Sequence, residues 1–183
     1  MEFKSLLTSE FSPYGLLSSD QLTLLDQHYQ MLQRWNLKIN LTRINSLTDI
    51  VRFHYCESLY LANYLPGRPL RIVDIGSGAG FPGIPVAIYR SDCQIDLVES
   101  HQRKAVFLRE ATRNLQNVRV IAKRASDLVG SYDWMISRAV RSEDLLMLNL
   151  APNMAVLGTH GEKLPWGESR ALLHMEREFN CST

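Results

Sequence analysis

The sequence predicts an α/β protein built on a mostly parallel sheet with helices on both faces. Three observations carry this. From Leu70 onwards, short apolar runs of strand length alternate with helical apolar periodicities. A glycine-rich stretch follows the first of those runs directly, at a strand-to-helix junction of the kind that holds ligands in open α/β sheets. The residues ahead of it carry helical patterns, so a helical extension, residues 1–66, is expected to pack on an α/β domain, residues 67–183.

The elements are justified in chain order. Ser18, Ser19 and Asp20 form an N-cap region, after which Leu22, Leu25, Tyr29, Leu32 and Trp35 recur at helical spacing. A polar–apolar alternation over 36–42 marks a loop or a short extended piece. A second helix is predicted over 47–60, ending before Pro66-Gly67. Leu70 to Ile75 is a buried-strand run, and a helix should begin near Pro82, since proline suits a first helical turn. Gln94 to Val98 is a second strand, and Phe107, Leu108, Ala111 and Leu115 mark one face of the helix after it. Val118 to Ile121 and Asp133 to Ile136 are further strands. Ser142 to Leu150 is helical, Met154 to Leu157 is a fifth strand, and Glu168 to Glu178 is expected to be a last helix.

Composition limits the function classes. With 183 residues, 45% hydrophobic and 21% charged, the chain matches ordinary globular composition and excludes collagen-like and disordered classes. No run approaches the roughly 18 apolar residues of a membrane span, and Met1 to Glu10 does not resemble a secretory signal, so a cytoplasmic location without membrane contact is expected. Cys56, Cys93 and Cys181 lie far apart and form no Cys-x-x-Cys pair, so neither a metal site nor a disulfide framework is indicated. The net charge of +1 conceals a basic stretch. Between His101 and Arg124 seven basic residues face a single acid, Glu110. Such a stretch is either a phosphate footprint or a solvated helix face.

The sharpest feature is Asp74-Ile75-Gly76-Ser77-Gly78-Ala79-Gly80-Phe81-Pro82-Gly83. Two cofactors compete for it. Gly78-x-Gly80-x-x-Gly83 matches the dinucleotide fingerprint, but begins inside the turn rather than at its start. The better register is Asp74-x-Gly76-x-Gly78-x-Gly80, an acid at the strand end followed by alternating glycines. That acid suits the ammonium of a methionine moiety and opposes a pyrophosphate. A second acid, Glu99, closes the next strand, where a carboxylate can accept both ribose hydroxyls of an adenosine. Together they favour S-adenosylmethionine over a nicotinamide cofactor.

These residues, continued by Ile84-Pro85, resemble the cofactor motif of the bacterial small-subunit ribosomal RNA guanine-N7 methyltransferases, the glucose-inhibited division protein B family. Trp35-Asn36, Asn40-Leu41-Thr42, Arg52-x-His54, Val98-Glu99-Ser100 with Lys104 and Phe107-Leu108, and Ser137-Arg138-Ala139 agree in the family's order, from about Asp20 to Gly161. The resemblance implies a Rossmann-like class I methyltransferase, a three-layer sandwich that transfers the methyl of S-adenosylmethionine to N7 of a guanine in the 530 loop of 16S rRNA. It implies cofactor contacts at Asp74, Gly76, Ser77, Gly78, Gly80, Phe81, Glu99, Ala125, Ser126 and Arg138, and action as a monomer on the small ribosomal subunit. Asn40, His54 and Arg138 are the candidates for holding the guanine near the methyl. Arg103, Lys104, Arg109, Arg113 and His160 are candidate RNA contacts.

The sequence departs from the family pattern in places. Serine stands at Ser126 where the family has an acid, Glu57-Ser58 replaces Asp-Ser, and His160 replaces a lysine. The family's closing strand pair with its Arg-His signature is not recognised before Thr183, so the sheet is expected to have a shortened or missing C-terminal hairpin. An inactive cofactor-binding module, or a methyltransferase of a non-RNA substrate, is therefore the alternative. RNA binding would weaken steeply with salt, whereas binding of a small molecule would not. Guanine N7 carries a lone pair and no proton, so attack on the methyl needs no general base, only positioning and tolerance of positive charge. Each candidate has a plainer role available. Asn40 could cap its turn, His54 could be a packing histidine, and Trp35 fits the apolar helix stripe.

Overall fold

The computed structural model describes residues 2–138 and 140–176. Four helical segments precede the sheet: α1 Phe3–Phe11, α2 Ser19–Asn36, α3 Leu47–Ile50 and α4 Glu57–Tyr64, the last two joined without a break by a π-helical turn, Val51–Cys56. The α2 start is a full capping box. The Ser18 hydroxyl accepts from the Gln21 amide, and the Gln21 side chain accepts from the Ser18 amide. Helix α1 was not expected from the sequence. It is short and buries Phe3, Leu6, Leu7 and Phe11 on one face.

The sheet comprises β1 Arg71–Ile75, β2 Gln94–Val98, β3 Val118–Ile121, β4 Trp134–Arg138, β5 Asn153–Gly158, β6 Glu162–Lys163 and β7 Ala171–Met175. Its order is β3-β2-β1-β4-β5-β7-β6. All neighbours are parallel up to β5; β7 is antiparallel to both β5 and β6. Between the strands lie α5 Gly83–Tyr89, α6 Gln102–Ala111 and α7 Ser142–Leu148, with a single 3₁₀ turn, Ala125–Asp127, after β3.

The C-terminal expectations are corrected here. Residues 171–175 form β7, not the middle of a helix; residues 177–178 of that expected helix, like Cys181, lie outside the described residues. Ala171, Leu172 and Met175 are all good helix formers, but pairing with β5 overrides propensity: Leu172 lies opposite Leu157 and Leu173 opposite Val156. The closing hairpin is therefore present, and only its β6 arm is short. The turn into β6 depends on Gly161, at φ +119°, where a Cβ would lie 2.2 Å from the Leu172 carbonyl oxygen.

One core runs from the extension into the sheet. Phe3, Leu7, Leu25, Leu32, Tyr55 and Leu59 share a buried cluster with Ile72, Ile84, Leu97, Phe107, Trp134 and Ile136. The opposite face of the sheet buries a smaller cluster, Val73, Ile75, Val98, Met135, Leu145 and Met154. Both faces are thus covered, more heavily on the side of the extension.

Candidate functional site

The site is assembled at the carboxyl ends of β1, β2 and β4. The glycine loop is fixed first. Gly76, Gly78 and Gly80 all adopt positive φ (72°, 57° and 87°), a region that costs an L side chain roughly 1–2 kcal/mol. The loop then turns back on β2, where the Val98 carbonyl accepts from the amides of Gly76 at 2.9 Å and Ser77 at 3.1 Å. Glu99 completes the cradle. Its carboxylate accepts from the Gly78 amide at 3.0 Å and from the His101 amide at 2.7 Å. Asp74 lies beneath the loop, fully buried. One carboxylate oxygen accepts from the Gly83 amide at 3.1 Å, while Oδ1 has no partner among the described residues. Burial pushes the Asp74 carboxyl up to about 7, against the hydrogen bond from Gly83, while the Ser77 hydroxyl donates to the Asp74 backbone carbonyl at 3.1 Å. Asp74 therefore ties β1 to the start of α5 and keeps one buried acceptor unused.

A second group stands over Phe81, the residue that leaves the loop. The His54 ring stacks on Phe81 with centroids 4.6 Å apart and planes 24° apart, and the Arg138 guanidinium lies 5.1 Å from the Phe81 centroid. Arg138 also donates to His54 Nδ1 and, at 3.1 Å, to the Phe53 carbonyl. Burial pulls its guanidinium down to about 10, so it stays charged at neutral pH. Burial and the nearby Arg138 hold the His54 imidazole well below the usual histidine range, so it is neutral. His54 comes from the π-helical turn, a geometry that widens a helix and recurs at functional sites. From below, Arg170 at the start of β7 donates to the fully buried Glu57 carboxylate at 2.7 Å. This pair locks the hairpin onto the first residue of α4, directly after the π-helical turn.

The remaining predicted residues fall elsewhere. Asn40 is exposed and makes no tertiary hydrogen bond among the described residues. The turn is capped instead by Asn36, whose side chain accepts from the Leu41 and Thr42 amides and donates to the Thr42 carbonyl. Asn40 lines a notch of about 330 Å³ with Lys38, His101, Arg103 and Lys104. Arg109 and Arg113 line a separate groove of about 550 Å³ between α2 and α6, together with Arg34. Ala125 packs beside the Ile75–Val98 cluster, and the Ser126 hydroxyl donates to Asp127. His160 lines a cavity of about 590 Å³ with Arg138, Arg141 and Arg170. Ala139 lies outside the described residues.

Sequence reasoning assigned no role to four contributors. His28, on α2, is buried with Nε2 3.0 Å from the Ala79 carbonyl and Nδ1 2.9 Å from the Tyr55 hydroxyl. A carbonyl only accepts, so Nε2 carries the proton and Tyr55 donates to Nδ1. Burial pulls His28 down to about 4. Thr42 meets His54 Nε2 at 2.8 Å. Arg170 and Glu57 pair across the fold. The one usable signal was polar residues on otherwise apolar helix stripes, as at His28 beside Leu25 and Leu32.

The model for the family of rRNA small subunit methyltransferase G, GidB, matches residues 21–160. The chain belongs to this family. Its members are class I S-adenosylmethionine-dependent methyltransferases, and the strand order with an antiparallel β7 agrees with that fold. The chain is 38% identical over 133 residues to the ribosomal RNA small subunit methyltransferase G of Syntrophus aciditrophicus, a match covering 68% of this chain and 55% of that one. It is 33% identical to the enzyme of the same name from Oenococcus oeni, covering 93% and 76%. The chain thus spans between about half and three quarters of the length of these relatives. Among solved structures, a Plasmodium falciparum chain assigned as a protein-L-isoaspartate O-methyltransferase aligns over 97% of this chain and 91% of its own, with a TM-score of 0.53 and 16% identity; it shows the shared fold. Among the described residues, no helix is long and apolar enough to cross a membrane.

Proposed function

We propose that this chain transfers the methyl group of S-adenosylmethionine to N7 of a guanine in the 530 loop of 16S rRNA, acting as a cytoplasmic monomer on the small ribosomal subunit without a metal or a membrane. Family membership over residues 21–160 supports the reaction, and the residues at the site fit the cofactor. The observation that carries the reading is the pairing of two half-sites at the carboxyl end of the sheet. One is the glycine cradle with Glu99 and a buried, unpartnered Asp74 oxygen. The other is the Phe81–His54–Arg138 group beside it.

In this reading Glu99 receives the ribose hydroxyls, the loop amides and Ala125-Ser126 line the adenosine side, and Asp74 supplies negative charge for the ammonium. The bound cofactor supplies an electrophilic sulfonium methyl. The protein's task is then to hold the guanine with its N7 lone pair aligned and to exclude water. His54 suits this because it is neutral and stacked, so it takes no proton. Arg138 is fixed by Phe53 and His54 and defines the floor beneath the base. Arg103, Lys104, Arg109, Arg113 and His160 are assigned to the RNA backbone, His160 from the cavity it shares with Arg138. Residues 1–66 are assigned to a helical extension and 67–183 to the cofactor-binding domain.

The hairpin bears on the alternative. Two features suggest an inactive module, the unrecognised closing strands and His160 at the family's lysine position, and the hairpin bears on the first. The presence of these strands, with Arg170 anchored on Glu57, removes that ground. The test is transfer of labelled methyl from S-adenosylmethionine to small subunits lacking the modification, followed by mapping of the labelled base. Label at N7 of a decoding-region guanine is expected. Cofactor binding without any label would overturn the reading.

A further inference from the structure

The hydrogen bonds around His54 leave one proton unassigned. A guanidinium has no lone pair to offer, so in its contact with Arg138 the Nδ1 of His54 must be the acceptor. A neutral imidazole that accepts at Nδ1 carries its proton on Nε2. Nε2–H therefore donates to Thr42 Oγ1, 2.8 Å away. The Ile44 amide donates to the same oxygen at 3.1 Å. A hydroxyl has two lone pairs and one proton, and both lone pairs are now used. Among the described residues, no acceptor takes the Thr42 hydroxyl proton. Thr42 itself is only half-buried, so a ligand can reach it. Arg138 and His54 thus orient a donor at the rim of the group over Phe81.

We propose that Thr42 is a specificity-determining residue whose hydroxyl donates to O6 of the target guanine. The inference rests on the reading of the preceding subsection. On the edge that carries N7, guanine presents two acceptors, N7 and O6, whereas adenine presents N7 and an N6 amino donor. N7 must keep its lone pair for the methyl, so recognition on that edge falls to O6. A donor held there accepts guanine and opposes adenine, donor to donor.

The experiment uses small subunits reconstituted with 16S rRNA bearing either guanine or 2-aminopurine at the target position. The analogue keeps N7 and lacks O6. Methyl transfer is measured as kcat/KM for wild type, Thr42→Val and Thr42→Ser, with cofactor affinity and melting temperature determined on each. Wild type should lose roughly tenfold or more on the analogue. Thr42→Val should lose a similar factor on guanine and little further on the analogue, since the same bond is already gone. Thr42→Ser should follow wild type on both. A purely structural role for Thr42 gives losses that multiply, and that result overturns the proposal. So does a wild type indifferent to O6, a result that needs no variant to fold. Wild-type protein that labels no guanine overturns the functional reading and this inference with it. Labelled guanine with O6 indifference overturns this inference alone.

Discussion

The two halves of the site are built in opposite ways. The cradle between β1 and β2 is made of backbone amides from residues 76–83, held by the Val98 carbonyl and the carboxylates of Asp74 and Glu99. The group over Phe81 is made of side chains. His54 and Arg138 stand 84 positions apart in the chain, and the Glu57–Arg170 pair beneath them 113 apart. The cradle binds through geometry that glycine alone permits locally, while the second half exists only once the extension, β4 and β7 have docked. The contrast predicts separable failures. Damage to the cradle should remove cofactor binding with the fold intact, and damage to the second half should spare the cofactor and reduce transfer or stability.

The largest effect is expected from Gly76→Val. At φ +72° a β-branched side chain is strained, and its Cβ would stand 3.3 Å from Val140. Cofactor affinity by calorimetry should fall by about a thousandfold or more, while urea unfolding shows the fold retained and destabilised by only about 1–2 kcal/mol; retained affinity would remove the loop from the site. Arg138→Ala comes next. Loss of the floor beneath the base should reduce methyl transfer roughly a hundredfold, as misplacement of about 1 Å does elsewhere, while cofactor binding changes little. Equal loss of binding and transfer would merge the two halves into one.

Glu57→Gln tests the support beneath. Removing one partner of a buried pair typically costs about 3–5 kcal/mol; Arg170 is about one third exposed, so about 2 kcal/mol is the expectation from urea unfolding. No change in stability would show that the hairpin is held by strand pairing alone.

The smallest effect concerns pH. The Asp74 carboxyl titrates at about 7 in the fold against 3.8 as its ordinary value, so the native state holds more protons between them. Its contribution to stability is greatest below 3.8 and is lost as pH rises towards 7. His28 has the opposite sign. Held at about 4 against 6.5, it contributes stability that is present above 6.5 and lost as pH falls towards 4. Asp74→Asn should therefore gain on wild type by about 1 kcal/mol between pH 6 and pH 8, and His28→Gln should gain on wild type as pH falls over the acid side. Parallel stability curves for wild type and Asp74→Asn would show that Asp74 is already charged in the fold.

The sequence alone determined the parallel α/β core, the capped α2 helix and the cradle. Strand runs, the Ser18 cap and the Asp74-x-Gly76-x-Gly78-x-Gly80 spacing are properties of neighbouring residues, and the forces that read them act over a few positions. Tertiary structure decided the rest. The run at 171–175 has helical propensity and became β7 because β5 offered an unpaired edge. Asn40 could have capped its turn, and Asn36 took the turn's hydrogen bonds instead. His28 and Arg170 carry no local signature, and Thr42 is legible only as part of the Asn40-Leu41-Thr42 motif, without a role. Each acquires its role from a partner brought close by packing: Ala79 and Tyr55 for His28, His54 for Thr42, and Glu57 for Arg170. A buried polar group must find its hydrogen bonds inside the fold, and which group it finds is set by how the helices dock, not by its own sequence neighbours.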